Sequence, residues 1–166
     1  MDLKLLASIN VVFFDFDGVF TDNRVLVSEN GAESVFCYRS DGVGISRIKD
    51  LGIKCSVISA ETNPVVTRRC EKLNIDCVQG VEYKKTELQR ILTDLGLSPE
   101  DAAFVGNDVG DIECMSYVGV PIAVSDAYPE VKTVAKLTTG RKGGLGAVRE
   151  VCDWIVEARR GAASRP

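Results

Sequence analysis

The 166-residue chain has a hydrophobic content of 45%, a charged content of 27% and a net charge of −4. These values are typical of one globular domain and provide no basic footprint for nucleic acid, so we expect no nucleic-acid partner. The chain contains no histidine, which excludes histidine-based hydrolytic triads and the usual zinc sites. It has no visible signal peptide, no C-x-x-C pair and no apolar run near the roughly 18 residues of a membrane span. We therefore expect a cytoplasmic protein with no membrane partner.

The first clear element is the segment from Val11 to Asp22, which reads V-V-F-F-D-F-D-G-V-F-T-D. Four apolar residues of β-branched and aromatic type predict a buried strand that carries Asp15 and Asp17 at its carboxyl end. Residues two apart in an extended chain share one face, so both carboxylates would point the same way. Two like charges side by side repel each other unless a cation or an incoming phosphoryl group compensates them. The segment therefore predicts a divalent metal site.

A hairpin is predicted directly after this segment, over about residues 24–38. Two β-type runs, 24–27 and 34–38, flank S-E-N-G-A-E, and the Asn30-Gly31 pair is a strong signal for a tight turn. Because the hairpin follows the two carboxylates, we expect it to act as a small flap beside them.

Helical and strand patterns then alternate along the rest of the chain. The first helix begins at Asp41, carries Ile45, Ile48 and Leu51 on one stripe, and stops at Gly52. Further helices are predicted over 64–73, 85–95 and 128–135 and around 148–155, and further strands over 54–59, 75–78, 102–105 and 121–124. This alternation predicts an α/β fold, a doubly wound parallel sheet with helices on both faces. We expect residues 1–166 to form one domain, with residues 159–166 as a disordered tail.

Polar side chains gather where the predicted strands end, and ligands bind at that edge of a parallel sheet. The set comprises Asp15, Asp17, Ser59, Lys84, Asn107, Asp108 and Asp111. Phosphoryl transfer needs a nucleophile, a cation and hydrogen-bond donors, and this set supplies each. Asp15 would attack phosphorus, while Asp17 would protonate the leaving alcohol and then activate water. Mg²⁺, which prefers oxygen ligands, is the expected cofactor.

The motifs D-F-D-G-V-F-T-D, a strand ending in Ser59, a lysine before a helix, and G-N-D-V-G-D resemble the four motifs of the haloacid dehalogenase superfamily of phosphohydrolases. The resemblance covers about residues 9–155. The hairpin, Y-R-S-D-G-V-G-I and G-G-L-G-A-V-R-E narrow it to the capless branch that hydrolyses 3-deoxy-ulosonate phosphates. That branch includes octulosonate 8-phosphate phosphatases, nonulosonate (sialic-acid type) 9-phosphate phosphatases and the carboxy-terminal domain of some CMP-sialate synthetases. The resemblance implies a Rossmann-like domain without a cap, and a homotetramer in which a neighbour's glycine-rich tail helps to close the site.

Residue by residue, the resemblance implies that Asp15 is the nucleophile, that Asp17 is the acid and base, and that Ser59 and Lys84 hold the phosphoryl oxygens. Lys84 is preferred to Lys85 from its distance to Gly80. The implied metal ligands are Asp15, Asp17, Asn107, Asp108 and Asp111, although Asn107 replaces an aspartate that the branch usually has. The implied substrate contacts are Thr21, Arg39, Asp41, Gly42, Ser59, Ala60, Glu61, Lys72, Lys142, Gly143 and Gly144. Glu61 with Lys72 resembles the nonulosonate group, since octulosonate phosphatases carry an arginine at the first position.

Three functions are compatible with these patterns. The first is a magnesium-dependent sugar-phosphate phosphatase, which is favoured because both catalytic positions are carboxylates. The second is a silent oligomerisation module related to the synthetase domain, which Asn107 supports. The third is a phosphoacceptor signalling domain, but such domains place the acceptor after a middle strand, whereas here D-x-D-G follows the first.

Overall fold

The computed structural model describes residues 3–163 of the chain. Its strands in chain order are β1 (Val11–Phe14), β2 (Leu26–Val27), β3 (Glu33–Ser34), β4 (Lys54–Ile58), β5 (Asp76–Val78), β6 (Ala102–Gly106), β7 (Val120–Ala123) and β8 (Leu137–Thr138). Six of them form one sheet in the order β5-β4-β1-β6-β7-β8, and all its neighbouring pairs are parallel. The strands β2 and β3 pair antiparallel as a separate hairpin. The predicted α/β fold with a parallel sheet is confirmed.

The helices are α1 (Asp41–Lys49), α2 (Val65–Leu73), α3 (Lys84–Leu95), α4 (Ile112–Tyr117), α5 (Pro129–Val134) and α6 (Ala147–Ala163). The helix α1 packs against α6, and α3 packs against α4. Short 3₁₀ turns lie at Leu3–Leu6, Pro99–Asp101 and Val109–Asp111. Within residues 3–163, no helix has both the length and the apolar content that crossing a membrane requires.

The central strand β1 holds the site in place because it is buried on both faces. Its four residues are at most 1% exposed, as expected for a strand inside a parallel sheet covered by helices. Phe20 packs edge-on against Phe14 at 5.4 Å between ring centres and stacks on Phe16 at 5.8 Å. These aromatic contacts fix the turn that follows β1 to the core.

The hairpin turn forms where the Asn30-Gly31 pair predicts it. The amide of Gly31 donates to the carbonyl of Ser28 at 2.9 Å, and Gly31 has a φ of +80° that suits glycine. The paired strands are shorter than the predicted runs, because only Leu26–Val27 and Glu33–Ser34 form the ladder.

Two details of the sequence prediction are wrong, and two short elements were missed. Leu51 lies beyond the end of α1 and is 45% exposed, so it does not belong to the buried stripe. The tail is ordered through residue 163: α6 extends to Ala163, and the Arg159 side chain donates to the carbonyl of Ile9 at 2.6 Å. Residues 164–166 lie outside the described part of the chain. The short elements α4 and β8 were not predicted, because six and two residues are too few to show a periodic pattern.

Candidate active site

The turn after β1 places both predicted carboxylates at the carboxyl edge of the sheet. Asp15 is 7% exposed, and its Oδ1 accepts a hydrogen bond from the amide of Phe16 at 2.7 Å. Thr21 is fully buried, and its hydroxyl accepts from the amide of Gly18 at 3.1 Å and donates to Asp17 Oδ1 at 3.4 Å. These two bonds close the turn and orient Asp17. The predicted contact between Thr21 and substrate stays a prediction.

Lys84, the first residue of α3, reaches into this acidic site. Its Nζ lies 2.7 Å from Asp15 Oδ1 and 2.9 Å from Asp111 Oδ1. Although burial lowers the pKa of Lys84, the two carboxylates raise it above its ordinary value, so the amine stays charged. Lys85 turns away and lies 5.6 Å from the centre of the Tyr117 ring. The geometry therefore favours Lys84 over Lys85 as the cation of the site.

Both carboxylates of the turn hold protons more tightly than free aspartate does. Burial, followed by the charge of Asp111, raises the pKa of Asp15 to about 7, although Lys84 opposes this shift. Burial, followed by the charge of Glu61, also raises the pKa of Asp17. The chain alone therefore leaves the negative charge at this site only partly compensated, as expected of a site that receives a cation.

Asp111 is fully buried, and both of its oxygens are already used within the chain. Oδ1 pairs with Lys84, and Oδ2 accepts from the amides of Asn107 at 2.9 Å and Asp108 at 3.3 Å. A Cβ at Gly106 would lie 2.7 Å from Asp111 Oδ2, so glycine is needed there. In the described chain Asp111 holds Lys84 and the loop after β6. Its role as a metal ligand stays a prediction.

Asp108 also serves the local backbone rather than the centre of the site. Its Oδ1 accepts from the amide of Val109 at 2.6 Å and begins the short 3₁₀ turn there. Asp108 and Asp111 therefore both stabilise the loop after β6. The family resemblance alone did not reveal these structural roles, because it implied only that the two residues ligate a metal.

Asn107 completes a cluster of oxygens that fits a divalent cation. One end of its side-chain amide lies 2.9 Å from the carbonyl oxygen of Asp17 and 3.3 Å from Asp15 Oδ2. Ligands about 2.1 Å from an octahedral Mg²⁺ are separated from their neighbours by about 3 Å, which matches these spacings. With its nitrogen at this end the amide donates to both oxygens, and with its oxygen there it becomes a third ligand. Within residues 3–163 no three acidic or cysteine side chains form such a group, so the set is mixed: one carboxylate, one amide and one backbone carbonyl.

Ser59 follows β4 and lies close to the acidic turn along the sheet edge. It is 2% exposed, and its Oγ accepts from the amide of Glu61 at 3.1 Å. This contact leaves the hydroxyl hydrogen available for a phosphoryl oxygen. The Glu61 Oε1 in turn accepts from the amides of Thr62 at 2.6 Å and Asn63 at 2.8 Å, which fixes the loop. Ala60, which lies between Ser59 and Glu61, is exposed.

A cavity of about 270 Å³ opens between the turn, the hairpin and this loop. Asp17 and Glu61 line it together with Glu33 of the hairpin, whose Oε2 accepts from Asn63 Nδ2 at 3.1 Å. We name it the acidic cavity, and its full lining is Asp17, Asn23, Arg24, Val25, Glu33, Val35, Glu61, Asn63 and Val65. The hairpin therefore forms a wall of the site.

The predicted substrate contacts Arg39, Gly42 and Lys72 line a different cavity of about 490 Å³, between α1 and α2. Arg69, which the sequence reasoning missed, also lines it and donates to the carbonyl of Tyr38 at 3.1 Å. In the single chain the side chains of Arg39, Arg69 and Lys72 therefore lie in a different cavity from Asp17 and Glu61, which line the acidic cavity.

Asp41 lines neither of these two cavities and is fully buried. Its Oδ1 accepts from the amide of Arg149 at 3.1 Å, which ties α1 to α6. Burial raises the pKa of Asp41 to about 6. In the described chain Asp41 therefore joins α1 to α6, and its contact with substrate stays a prediction.

The glycine-rich loop packs against the acidic turn of the same chain. A Cβ at Gly143 would lie 1.8 Å from the carbonyl oxygen of Gly18, and Gly144 has a φ of +66° and donates to the carbonyl of Val19 at 3.0 Å. Only glycine allows two backbones to approach this closely. The loop is pinned by Asp126, whose Oδ1 accepts from the amide of Gly143 at 2.9 Å. Lys142 is exposed beside it.

Asp126 was missed by the sequence reasoning, although a signal for it exists. The pair Ser125-Asp126 follows β7 after one residue, Val124, much as Asp15 follows β1 and Asn107 follows β6. The rule that polar groups gather at strand ends would have found it.

Comparison with known proteins agrees with this geometry. Residues 48–150 match the family model of the haloacid dehalogenase-like hydrolases. The 3-deoxy-D-manno-octulosonate 8-phosphate phosphatase KdsC of Salmonella typhi is 35% identical over 153 residues, which cover 92% of this chain and 81% of KdsC.

Two solved structures extend the similarity over nearly the whole chain. The octulosonate 8-phosphate phosphatase of Yersinia pestis has a TM-score of 0.93 at 32% identity and covers 98% of this chain and 88% of its own. The corresponding enzyme of Moraxella catarrhalis, in complex with a magnesium ion, a phosphate ion and KDO, has a TM-score of 0.92 at 29% identity, with coverages of 98% and 94%. The chain therefore belongs to the haloacid dehalogenase-like hydrolases, as a phosphatase of the branch that contains the octulosonate 8-phosphate phosphatases.

Proposed function

We propose that this phosphatase is magnesium-dependent and hydrolyses an acidic 3-deoxy-ulosonate phosphate, either a nonulosonate 9-phosphate or an octulosonate 8-phosphate. The observation that carries the proposal is the position of Asp15, which lies between the amine of Lys84 and the amide of Asn107 at the sheet edge. The KdsC relatives act on the octulosonate ester, and the Moraxella structure contains Mg²⁺, phosphate and KDO. These relatives support the substrate class.

Three oxygens of the chain fit the ion: Asp15 Oδ2, the carbonyl oxygen of Asp17 and Oδ1 of Asn107. When bound, the ion supplies positive charge that offsets the buried carboxylate and the phosphoryl oxygens. Lys84 already provides one charge on the opposite side of Asp15, at Oδ1. The nucleophile would therefore be ionised and held in one orientation.

In the first step the Asp15 carboxylate attacks phosphorus, and the bond between phosphorus and the leaving oxygen breaks. Asp17 gives its proton to that oxygen, and burial and Glu61 favour the protonated form of Asp17 before the step. In the second step Asp17 takes a proton from water, whose oxygen attacks phosphorus. The bond between phosphorus and the Asp15 oxygen breaks, which releases inorganic phosphate and restores the Asp15 carboxylate. Ser59 and Lys84 would hold the transferring oxygens throughout.

The proposal is tested by measuring phosphate release with Mg²⁺ from both esters in parallel, with Asp15→Asn as the blank. Turnover that vanishes in the blank supports the mechanism, and the preferred ester decides between the two sugars. If neither ester gives more phosphate than Asp15→Asn, while circular dichroism shows a folded protein, the ulosonate proposal fails. The oligomerisation module, which the loss of charge at Asn107 favours, would then be the better assignment.

Asn107 gives a separate prediction about the metal. Asn107→Asp adds a charged oxygen at the same place, so we expect Mg²⁺ to bind about tenfold more tightly, since ligand charge tunes the affinity of such sites. Calorimetric titration of the metal measures this without any substrate. Glu113→Gln, which alters an exposed charge a few residues away, should leave the dissociation constant within about twofold. Unchanged or weaker binding by Asn107→Asp would show that this side chain is not a ligand.

We also propose that the protein assembles as a homotetramer. The hairpin exposes a row of apolar side chains, with Leu26 62%, Val27 59% and Phe36 74% exposed. Exposed apolar patches of this kind commonly mark contacts between proteins. Sedimentation equilibrium measures the assembly directly, and a monomer over the whole concentration range would contradict it.

A further inference from the structure

The acidic cavity carries more negative charge than phosphate chemistry requires. Asp17, Glu33 and Glu61 all line it, and the one cation in its lining, Arg24, is paired outside the set with Asp22 at 2.5 Å. Phosphate itself is an anion, so carboxylates that only faced the phosphoryl group would weaken binding. Glu33 and Glu61 therefore need another partner in the bound molecule.

Each of these two glutamates is held by one oxygen and leaves the other one open. Glu33 Oε2 accepts from Asn63 Nδ2 at 3.1 Å, and Glu61 Oε1 accepts from two backbone amides. In the described chain the second oxygen of each makes no hydrogen bond, and both side chains line the cavity. Fixed carboxylate oxygens in this arrangement accept hydrogen bonds from hydroxyl groups and repel other carboxylates.

The cavity also lies on the side where the alcohol leaves. Asp17 lines it, and in the proposed function Asp17 protonates the leaving oxygen. The carbon atoms next to the ester oxygen would therefore lie between Glu33 on the hairpin and Glu61 on the loop after β4.

Resting on that proposed function, we infer that the acidic cavity is a leaving-group subsite in which Glu33 is a specificity-determining residue. Together with Glu61 it selects an alcohol whose first carbons carry uncharged hydroxyl groups, and it rejects an alcohol with a carboxylate there. Because Glu33 belongs to the hairpin, the flap sets the choice of substrate as well as the shape of the site. A carboxylate farther along the substrate is not excluded by this subsite.

The test compares two small esters of the same length, glycerol 3-phosphate and 3-phosphoglycerate. They differ in whether a hydroxymethyl group or a carboxylate ends the chain. Dissociation constants are measured by calorimetry with Mg²⁺ in the Asp15→Asn background, so that neither ester is consumed. We expect glycerol 3-phosphate to bind at least about tenfold more tightly. Adding Glu33→Gln should reduce the ratio to about threefold, and adding Glu61→Gln as well should bring it near one.

Glu29→Gln is the matched control, because Glu29 lies in the exposed hairpin turn and does not line the cavity. It should leave the ratio of the two constants unchanged. Equal binding of the two esters, no measurable binding of glycerol 3-phosphate, or a ratio that Glu33→Gln does not alter would each overturn the inference. Phosphate release from the two ulosonate esters by the unmodified protein reports separately on the proposed function. A failure of the proposed function can therefore be distinguished from a failure of the inference about Glu33.

Discussion

Lys84→Met is expected to reduce phosphate release by about 10²–10³-fold and to destabilise the fold by about 3 kcal/mol at pH 8. The catalytic loss follows because a charged donor to the transferring oxygens disappears. The loss of stability follows because Asp15 and Asp111, both buried, lose the amine that lies 2.7 Å and 2.9 Å from them. Initial rates with Mg²⁺ and urea unfolding monitored by circular dichroism measure the two effects.

The pH dependence separates lost charge pairing from lost packing. Burial and Asp111 raise the pKa of Asp15 to about 7 even with Lys84 present, and removal of the amine would raise it further. A raised carboxyl pKa gives stability that is complete below the unfolded value near 3.8 and is lost as the pH rises through the folded value. The destabilisation by Lys84→Met should therefore be larger at pH 8 than at pH 5. A loss that is equal at both pH values would indicate packing alone.

Lys85→Met is the control, since Lys85 is the neighbouring residue on the same helix but lies over Tyr117. Its contact is worth about 0.5–1 kcal/mol at most, and it does not approach Asp15. Activity that falls equally in both variants would contradict the assignment of Lys84 to the site.

The sheet and the centre of the site could be predicted from the sequence because their signals are local. V-V-F-F followed by D-F-D-G indicates a buried strand that ends in carboxylates, and β1 and the turn after it have this form. The segment before α3 likewise places a lysine at the start of a helix. In a parallel sheet these ends meet at one edge, so Asp15 and Lys84 come together although they are far apart in the chain.

The role of each neighbouring side chain could not be predicted, because it depends on which atoms tertiary packing brings near. Asp111 and Asn107 are both polar residues of one loop. The carboxylate of Asp111 is bonded to Lys84 and two backbone amides, whereas the side chain of Asn107 lies against Asp15. Asp41 carries the same charge as Asp15, yet it is buried against α6. A motif gives the type of each residue and its spacing from the other residues of the motif. Which groups hydrogen-bond to a carboxylate or amide oxygen depends on segments that are distant in the chain.

Asp17→Asn tests both proton transfers with one substrate. Nitrophenolate leaves without a proton, so p-nitrophenyl phosphate should still phosphorylate Asp15 in this variant. Water activation, however, should be lost. We expect a rapid burst of nitrophenol close to one equivalent per site, followed by turnover reduced by about 10²–10⁴-fold. For an alkyl phosphate, which needs the acid in the first step, no burst of the alcohol should appear. The backbone carbonyl of Asp17 is unchanged by the substitution, so the metal ligand set is retained.

Rapid-quench kinetics with both esters measure this difference, and Asp15→Asn serves as the control that cannot form the intermediate. Normal turnover of p-nitrophenyl phosphate by Asp17→Asn would show that another group activates water. If the burst is lost completely while Mg²⁺ still binds, the role of Asp17 would instead be to position the phosphate ester for attack by Asp15. Thr21, which donates to Asp17 Oδ1 at 3.4 Å, makes the burst the expected result, because an asparagine oxygen can accept the same hydrogen bond. The asparagine side chain would then keep the position of Asp17 but could neither protonate the leaving oxygen nor take a proton from water.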